Sequence, residues 1–345
     1  MSRLVVRPSR LDDFDDMMEL ADLSGPGFTS LPVDEELVRK RLEASMKAFS
    51  GRPDAPQQGK FLLIIEDIES GNVAGCCAVK AGIGLTRPFF NYRIITILQS
   101  STVVNRRFSM DALVLTNEFM GHTEVGTLFL KKEYRGGGYG AGRLTAQSRY
   151  LLMAAAPDEF GDMVLAELRG VVNPDGISPF WEGVGRQFFE MDFQEADYHS
   201  GVTDGQFIMD LMPKYPIYVD LLPPEAREVI GRCHVDGIGA LKLLEWEGFR
   251  FERVVDIFDG GPQVSSPRDN IRTIRESRSV TFEMGVIPDS APDALVSTDT
   301  LGNFRVTWAK CDVSKPGVVT LDAAVFDALQ IEPGHQGRVW VKGQS

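Results

Sequence analysis

Hydrophobic residues recur along the chain with two different periods, and each period predicts one kind of secondary structure. Apolar positions three or four residues apart, with polar residues between them, indicate amphipathic helices. Continuous or alternating apolar runs rich in β-branched and aromatic residues indicate strands. The helical pattern covers residues 11–23, 34–49, 142–156 and 239–247. The strand pattern covers residues 4–6, 60–67, 73–81, 92–98, 112–116, 124–132, 163–172 and 249–258.

Two long segments interrupt this pattern. Residues 173–235 are rich in aromatic residues and prolines, and we interpret them as an insertion. Further on, residues 279–345 contain short β-like runs separated by glycine, proline and aspartate. We therefore predict a main domain at residues 1–278, with the insertion inside it, and a small all-β C-terminal subdomain at residues 279–345.

The composition is that of a globular protein with an acidic surface. Of the 345 residues, 43% are hydrophobic and 25% are charged, and the formal net charge is −13. This charge argues against broad contacts with nucleic acids or anionic membranes, which need a surplus of Lys and Arg. It leaves room for an anionic small molecule if basic residues cluster locally. No run reaches the roughly 20 apolar residues that span a bilayer, so a cytoplasmic location is expected.

The four cysteines do not have the spacing of metal ligands, and no metal ion is expected. Cys76 and Cys77 are adjacent within an apolar run, which favours buried thiols over a redox pair. The chemistry of the chain is therefore sought in other residues.

The strongest local signal is a glycine-rich turn between a predicted strand and a predicted helix. We call residues 135–142, Arg-Gly-Gly-Gly-Tyr-Gly-Ala-Gly, the glycine turn. In this arrangement the unpaired backbone N–H groups and the dipole of the following helix converge where a phosphate can bind. Between Lys131 and Arg149 there are five basic residues and one acidic residue, in a chain that is otherwise acidic. The turn therefore predicts a local anion site.

Three kinds of phosphate-binding loop contain glycines of this sort. A P-loop is excluded, because no Gly-Lys-Ser/Thr follows. A dinucleotide fingerprint fits Gly136, Gly138 and Ala141, although the preceding strand ends in charges and no clear βαβ repeat surrounds it. The R-x-x-G-x-G/A turn of acyl-CoA N-acyltransferases fits Arg135, Gly138 and Gly140. A plain loop is the remaining alternative.

A second motif favours the acyl-CoA interpretation. Residues 240–249, Ala-Leu-Lys-Leu-Leu-Glu-Trp-Glu-Gly-Phe, resemble the A-x-x-L-Y-x-x-x-G-F junction of the same superfamily. Physically, this is an amphipathic helix that ends at Gly248 and a strand that starts at Phe249. An ordinary packed helix would look similar, so the motif gains its weight from following the glycine turn in the expected order.

The junction departs from the superfamily at one position that matters for chemistry. Many of these enzymes have a tyrosine there that protonates the departing thiolate, whereas this chain has Leu244, which has no proton to give. His234 lies ten residues upstream, near the start of the helix, and a histidine can supply a proton near neutral pH. His234 is therefore a candidate proton donor, with a structural role as the alternative.

Eight further segments carry a resemblance to one known family. They are GFTSLP (27–32), FNYR (90–93), TLFL (127–130), AELRG (166–170), SPFW (178–181), MDF (191–193), LMPK (211–214) and DIFDGGP (256–262). Up to about residue 278 the chain resembles the arginine N-succinyltransferase family, including its arginine/ornithine-specific subunits. The resemblance implies a GNAT-like acyl-CoA N-acyltransferase fold of the α+β class, with a mixed, mostly antiparallel central sheet flanked by helices.

The resemblance also implies a reaction and a set of site residues. The family transfers succinyl from succinyl-CoA to the α-amino group of L-arginine in arginine catabolism, with no tightly bound cofactor. By this resemblance His234 is the proton donor. The residues implied or proposed for succinyl-CoA binding are Leu128, Arg135, Gly136, Gly138 and Gly140. Some members are heteromers, so a homo-oligomer or a heteromer with a related subunit is expected.

Substrate selection requires further charged side chains. The succinyl and arginine carboxylates each need a cation, for which Arg93 and Arg169 are candidates. The guanidinium needs carboxylates, for which Glu167 and Asp192 are candidates. For all four, a structural ion pair or a solvated charge is the alternative. Two competing functions stay open: succinylation of ornithine or another cationic amino acid, and a weakly active partner subunit.

Overall fold

The computed structural model describes residues 3–25, 31, 33–51, 58–136, 140–173, 175–202 and 206–343. The chain forms two compact units that are interleaved in sequence. The first unit is made of residues 1–82, 123–163 and 267–345, and the second of residues 83–122 and 164–266.

The described part of the chain contains fifteen strands. They are β1 (Leu4–Pro8), β2 (Lys60–Asp67), β3 (Val73–Lys80), β4 (Asn91–Ser101), β5 (Arg106–Thr116), β6 (Thr123–Leu130), β7 (Met163–Glu167), β8 (Ile217–Tyr218), β9 (Arg250–Asp256), β10 (Pro262–Pro267), β11 (Arg278–Met284), β12 (Asp293–Thr298), β13 (Val306–Lys310), β14 (Val318–Leu321) and β15 (Gln336–Val341).

Ten α-helices are found in the same described ranges. They are α1 (Phe14–Ser24), α2 (Glu35–Phe49), α3 (Ala141–Ala155), α4 (Arg186–Phe189), α5 (Phe193–Val202), α6 (Gln206–Leu211), α7 (Pro224–Val229), α8 (Ile238–Glu247), α9 (Arg272–Glu276) and α10 (Ala323–Leu329). Asp34 caps α2 by accepting the Leu37 N–H at 2.8 Å, as its position before the helical pattern indicates. None of the helices described is both long and apolar enough to cross a membrane.

The sheet of the first unit has the strand order β14-β11-β15-β12-β13-β1-β2-β3-β6. β11 and β14 are parallel, and the other pairs with an assigned register are antiparallel. Helices α1 and α2 bury Met17 and Leu42 against Ile64 of β2 and Cys76 of β3. A mostly antiparallel sheet covered by helices is the arrangement that the resemblance implied.

The C-terminal segment differs from its prediction in one respect. Helix α10 lies within residues 279–345, so this segment is mixed and not all-β. The helix has only seven residues, too few for apolar periodicity to separate it from a strand. Strand β13 pairs with β1, with Val6 opposite Val306, so the segment extends the N-terminal sheet. The division of the chain near residue 278 stays a prediction.

The sheet of the second unit has the strand order β7-β10-β9-β4-β5-β8. Residues 173–235, predicted as an insertion, supply β8, helices α4 to α7 and a π-helical turn at Trp181–Gly185. Phe180 and Trp181 from this segment are fully buried in one core with Tyr92 and Val255 of the sheet. The segment therefore supplies much of this unit's hydrophobic core.

Candidate active site

The glycine turn connects β6 to α3 in the first unit. Residues 137–139, and with them the predicted contact Gly138, lie outside the described part of the chain. Gly136 has φ +69°, a conformation that glycine adopts without steric cost. Arg135 is exposed, and its Nε donates to the Leu130 carbonyl at 2.7 Å. The predicted phosphate-binding arginine is therefore anchored at the end of β6.

Helix α3 begins directly after Gly140, which has φ +63°. A Cβ added to Gly140 would lie 2.9 Å from Nε1 of Trp308, which donates a hydrogen bond to the Gly140 carbonyl at 3.3 Å. The first turn of α3 has no acidic residue and no side-chain cap. A Cβ added to Gly142 would meet no described atom within 4 Å. The start of α3 therefore combines backbone donors with open space, as anion binding requires.

Two of the five basic residues counted around the turn have other roles. Lys131 lies 2.7 Å from the carboxylate of Glu19, and its side chain is only 11% exposed. Arg149 is buried within α3, where its Nε donates to the Ala146 carbonyl. The positive charge available to an anion is therefore smaller than the sequence count indicates.

Strand β6 is bulged at the predicted coenzyme contact. The register between β6 and β3 shifts there, so that Thr127 and Leu128 together oppose Cys77. Thr127 has φ +51°, which a β-branched residue rarely adopts. A bulge of this kind interrupts the ladder and redirects the groups on the bulged strand. The half-buried Leu128 thus lies at an irregular point of β6, seven residues before Arg135, where the glycine turn begins.

His234 lies in the second unit, just before α8. Its N–H donates to the Arg169 carbonyl at 2.7 Å, next to an isolated β-bridge between Gly170 and Cys233. Its Nδ1 accepts the N–H of Asp236 at 3.2 Å, so the proton of the neutral ring is on Nε2. The side chain is 16% exposed, which leaves it within reach of a ligand. To act as a general acid the ring must be in its imidazolium form, whose Nδ1 proton would face the Asp236 carboxylate, with Oδ2 at 3.5 Å, while the Nε2 proton is given.

Arg169 is the neighbour of His234 across this bridge. Opposite residues of an antiparallel pair project from the same face, with Cβ atoms ~4.5–5.5 Å apart. Within the described residues no hydrogen bond or ion pair engages the half-exposed guanidinium of Arg169. A cation with no partner in the described part of the chain is therefore next to the candidate proton donor.

Two of the other predicted substrate residues already have partners. Arg93 forms a two-point ion pair with Glu118, at 2.8 Å from Nε and 2.5 Å from Nη2, which raises the pKa of Arg93. Asp192 lies 2.6 Å from Nη1 of Arg186. These contacts favour the structural alternative for both residues, and their predicted contacts with substrate stay predictions.

Glu167, the remaining candidate, ends β7 and is exposed. It accepts a hydrogen bond from Nε2 of Gln263 on the neighbouring strand β10. Gln263 is 2% exposed, and its Oε1 has no hydrogen-bond partner among the residues that the structure describes. A charged acceptor and an amide acceptor are thus close together, and both can accept from a cationic N–H donor.

The prediction that the two adjacent cysteines are buried thiols is confirmed. Cys76 and Cys77 are fully buried and free, and burial raises the pKa of Cys77 to about 11. Among the residues that the structure describes, no three His, Cys, Asp or Glu side chains come together as metal ligands would.

Two acidic residues near His234 were not predicted as part of the site. The Asp259 carboxylate accepts the Gly170 N–H at 2.6 Å. Burial, followed by the charge of Asp256, raises the pKa of Asp259 to about 8. The sequence signal is one acid at the apolar end of a strand and a second acid three residues later, directly before two glycines. Acids in such a place lose hydration and therefore need a compensating role.

Comparisons with known proteins agree with this geometry. The family model described as "Arginine N-succinyltransferase beta subunit" matches residues 4–273. The chain belongs to the arginine N-succinyltransferase family. An arginine N-succinyltransferase of Escherichia coli O6:K15:H31 (strain 536 / UPEC) is 40% identical over 339 residues, which is 97% of both chains. One from Shigella flexneri has the same identity and coverage.

A solved structure extends the agreement to the fold. The arginine/ornithine succinyltransferase subunit AI from Pseudomonas aeruginosa is 31% identical and has a TM-score of 0.89, over 99% of both chains. The predicted α+β fold and the predicted arginine N-succinyltransferase family are therefore confirmed, and membership makes the chain an acyltransferase. The family model ends at residue 273, whereas this structural match continues through the C-terminal segment.

Proposed function

We propose that the chain transfers the succinyl group of succinyl-CoA to the α-amino group of L-arginine, as a step of arginine catabolism. The main support for the proposal is that the antiparallel β-bridge between Gly170 and Cys233 places His234 directly opposite Arg169. A proton donor and an available cation are then neighbours, and both substrates have a carboxylate for that cation. The names of the matched relatives support the same reaction.

Succinyl-CoA is proposed to bind along β6 and the glycine turn. The residues proposed for this are Leu128, Arg135, Gly136, Gly138 and Gly140. The pyrophosphate would accept hydrogen bonds from the start of α3, and the thioester would lie beside the β6 bulge. Backbone N–H groups turned out of the ladder at the bulge would stabilise the oxyanion that forms on the thioester carbonyl.

The proposed chemistry is direct attack without a covalent enzyme intermediate. The neutral α-amine forms the new C–N bond and the C–S bond breaks. The imidazolium form of His234 gives its Nε2 proton to the CoA thiolate and is left as a neutral ring. The ammonium form predominates at neutral pH, since a free α-amine has a pKa of ~7.7–8.0. One proton must therefore leave the amine, to a base or through water, before or during attack.

Recognition of arginine is proposed to use opposite charges at two positions. Arg169 would pair with a substrate carboxylate, and Glu167 with Gln263 would accept from the guanidinium. Arg93 is the weaker candidate for binding a substrate carboxylate, because its Nε and Nη2 already donate to Glu118.

Replacing Glu167 with Gln is expected to reduce the preference for arginine over citrulline about tenfold or more. Citrulline has the shape of arginine without its charge, so only the charged hydrogen bond is lost, at ~1.5–3 kcal/mol. The measurement is kcat/KM for both amines. The same substitution at Glu195, an exposed acid of α5, is the matched control. An unchanged preference in Glu167→Gln would remove this residue from guanidinium recognition.

Replacing Gly140 with Ala is expected to raise the KM for succinyl-CoA and to lower the free energy of unfolding by ~1–2 kcal/mol. The reason is its φ of +63° and the 2.9 Å approach of Trp308 to the added Cβ. Gly142→Ala is the control for stability, since a helical glycine with open space gains helix propensity on this change. Both quantities are measurable by steady-state kinetics and urea unfolding. A Gly140→Ala variant with normal stability and normal KM would contradict the role given to this turn.

Ornithine is the second candidate acceptor, because the matched Pseudomonas protein is named for arginine and ornithine together. Assembly as a homo-oligomer or as a heteromer with a related subunit is also proposed, and the words "beta subunit" and "subunit AI" in the matched names support it. A cytoplasmic location completes the proposal.

The overall test is thiol release from succinyl-CoA by the purified chain, with arginine, ornithine and lysine as acceptors. Release with arginine at the highest kcat/KM is expected. A higher value with ornithine would change the acceptor, and no release with any amine would favour the partner-subunit alternative. Replacing succinyl-CoA by acetyl-CoA tests the acyl group in the same assay.

A further inference from the structure

A pair of carboxyl groups lies in the turn that follows β9 in the second unit. Asp256 is the last residue of β9, and Asp259 is in the turn before β10. Asp259 is only 8% exposed. The proposed mechanism does not use either residue, although a buried acid is costly unless its surroundings compensate it.

The oxygens of both carboxyl groups are engaged by backbone donors. Asp259 accepts the N–H of Gly170 at 2.6 Å and the N–H of Gly261 at 2.8 Å. Asp256 accepts the N–H groups of Phe258 and Asp259 at 2.7 Å and 2.9 Å. Asp256 therefore closes the turn, and Asp259 joins the turn to the Gly170 segment.

Close packing fixes this turn against the backbone on both sides of the Gly170–Cys233 bridge. A Cβ on Gly170 would lie 2.3 Å from the carbonyl oxygen of Asp259, and one on Gly261 would lie 2.1 Å from that of Leu168. On the other side, the Gly260 carbonyl accepts the Gly231 N–H at 2.8 Å. The turn thus contacts the two segments that carry Arg169 and His234.

We infer that Asp259 is a positioning residue, which holds the Gly170 backbone so that Arg169 and His234 keep their places relative to each other. The inference rests on the proposed function of His234 as proton donor. Its geometric basis is the path from the Asp259 carboxylate to the Gly170 N–H, and from the adjacent Arg169 carbonyl to the His234 N–H. Asp259 has no direct part in the reaction.

The two carboxyl groups are close enough to influence each other's protonation. Burial and then Asp256 raise the pKa of Asp259 to about 8, and burial also raises the pKa of Asp256. The Cys233 thiol is a further titratable group next to Asp259. Burial, and then the charge of Asp259, raise the pKa of this thiol to about 11.

The contribution of Asp259 to stability depends on pH, because its pKa is higher in the folded chain than in the unfolded chain. Between pH ~4, where a free aspartate titrates, and about 8, the folded chain keeps a proton that the unfolded chain has lost. The contribution of Asp259 to stability therefore falls as the pH rises through this window. Above about 8 two negative charges face each other in the turn, and the Gly170 segment is expected to loosen.

The test compares Asp259→Asn, Asp259→Ala and the exposed control Asp220→Asn in the full chain. Asp259→Ala is expected to lower kcat ~100-fold, as a displacement of about 1 Å at a catalytic group can do. The parent chain should lose kcat with a midpoint near pH 8, and Asp259→Asn, which cannot ionise, should lack this alkaline decline. The control should keep the parent profile.

Hydrogen exchange at residues 168–170 and 231–234 gives a readout that needs no substrate. These amides should lose protection in Asp259→Ala at every pH, and in the parent chain only above about pH 8. Unchanged protection in Asp259→Ala, or an alkaline decline retained in Asp259→Asn, would overturn the inference. If Asp259→Ala does not fold, Asp259→Asn carries the test. Absence of succinyl transfer in the parent chain would count against the proposed function, while the exchange result would still decide the positioning role.

Discussion

Replacing His234 with Ala is expected to lower kcat ~100-fold to 10,000-fold, the range that general acid catalysis contributes. The KM for succinyl-CoA should change little, because the coenzyme is proposed to bind through β6 and the glycine turn. The reason is the loss of the ring that, as imidazolium, would give its Nε2 proton to the thiolate, with Nδ1 facing the Asp236 carboxylate at 3.5 Å. Steady-state kinetics with varied succinyl-CoA measure both quantities.

His234→Asn separates the proton from the local structure. His234 caps the short helical turn that starts at Val235, since its side chain accepts the Asp236 N–H. Asparagine is among the best residues for such a cap, but it has no proton that it can donate to a thiolate. Equal losses in His234→Asn and His234→Ala would support proton donation, whereas recovered activity in His234→Asn would reduce His234 to a cap. His122→Ala, which removes a ring contact with Phe119, is the control.

Motifs at the ends of helices were predictable from the sequence because their physics is local. Gly248 ends α8 with φ +103°, and the Phe249 N–H returns to the Leu244 carbonyl at 3.0 Å. Gly140, with φ +63°, starts α3 after the turn. In both places the need for a left-handed residue is set by the nearest few residues, so the pattern of glycine and apolar positions is sufficient.

Ion pairs across the sheet were not predictable, because they depend on strand pairing. Arg93 was a candidate for a substrate carboxylate, yet Glu118 lies beside it because β4 and β5 form a hairpin. The hairpin itself is longer than predicted. Its far end has polar and exposed residues, such as Leu98 at 79% exposure, that bury no periodic apolar face. Lys131 and Glu19 meet in the same nonlocal way.

To predict that Arg169 and His234 are neighbours, one needs both the chemistry of each residue and the pairing of the two segments. Each residue was a candidate from its chemistry, but 65 positions separate them in the chain. The Gly170–Cys233 bridge makes them neighbours, and the buried Asp259 turn supports that bridge. Residues 137–139 of the glycine turn lie outside the described ranges, so the geometry given for the proposed coenzyme site is that of the two ends of the turn.

Replacing Arg169 with Ala is expected to raise the KM of one substrate by roughly 10-fold to 150-fold, which corresponds to ~1.5–3 kcal/mol for a hydrogen bond to a charged group. The guanidinium has no partner within the described residues, so its removal leaves no protein charge unpaired. Its backbone carbonyl, which holds the His234 N–H, is unaffected by the substitution. The substrate whose KM rises, succinyl-CoA or arginine, identifies the carboxylate that Arg169 binds.

Two companion variants make this result specific. Arg169→Lys keeps the charge and loses the two-point geometry, so an intermediate KM is expected. Arg93→Ala removes a half-exposed ion pair with Glu118, which is worth ~0.2–1 kcal/mol of stability, and should leave both KM values near the parent values. Unchanged KM values in Arg169→Ala together with a raised KM in Arg93→Ala would reverse the two assignments. In that case Glu118 would have to release Arg93 when substrate binds, and the Glu118→Gln variant would then lower the KM.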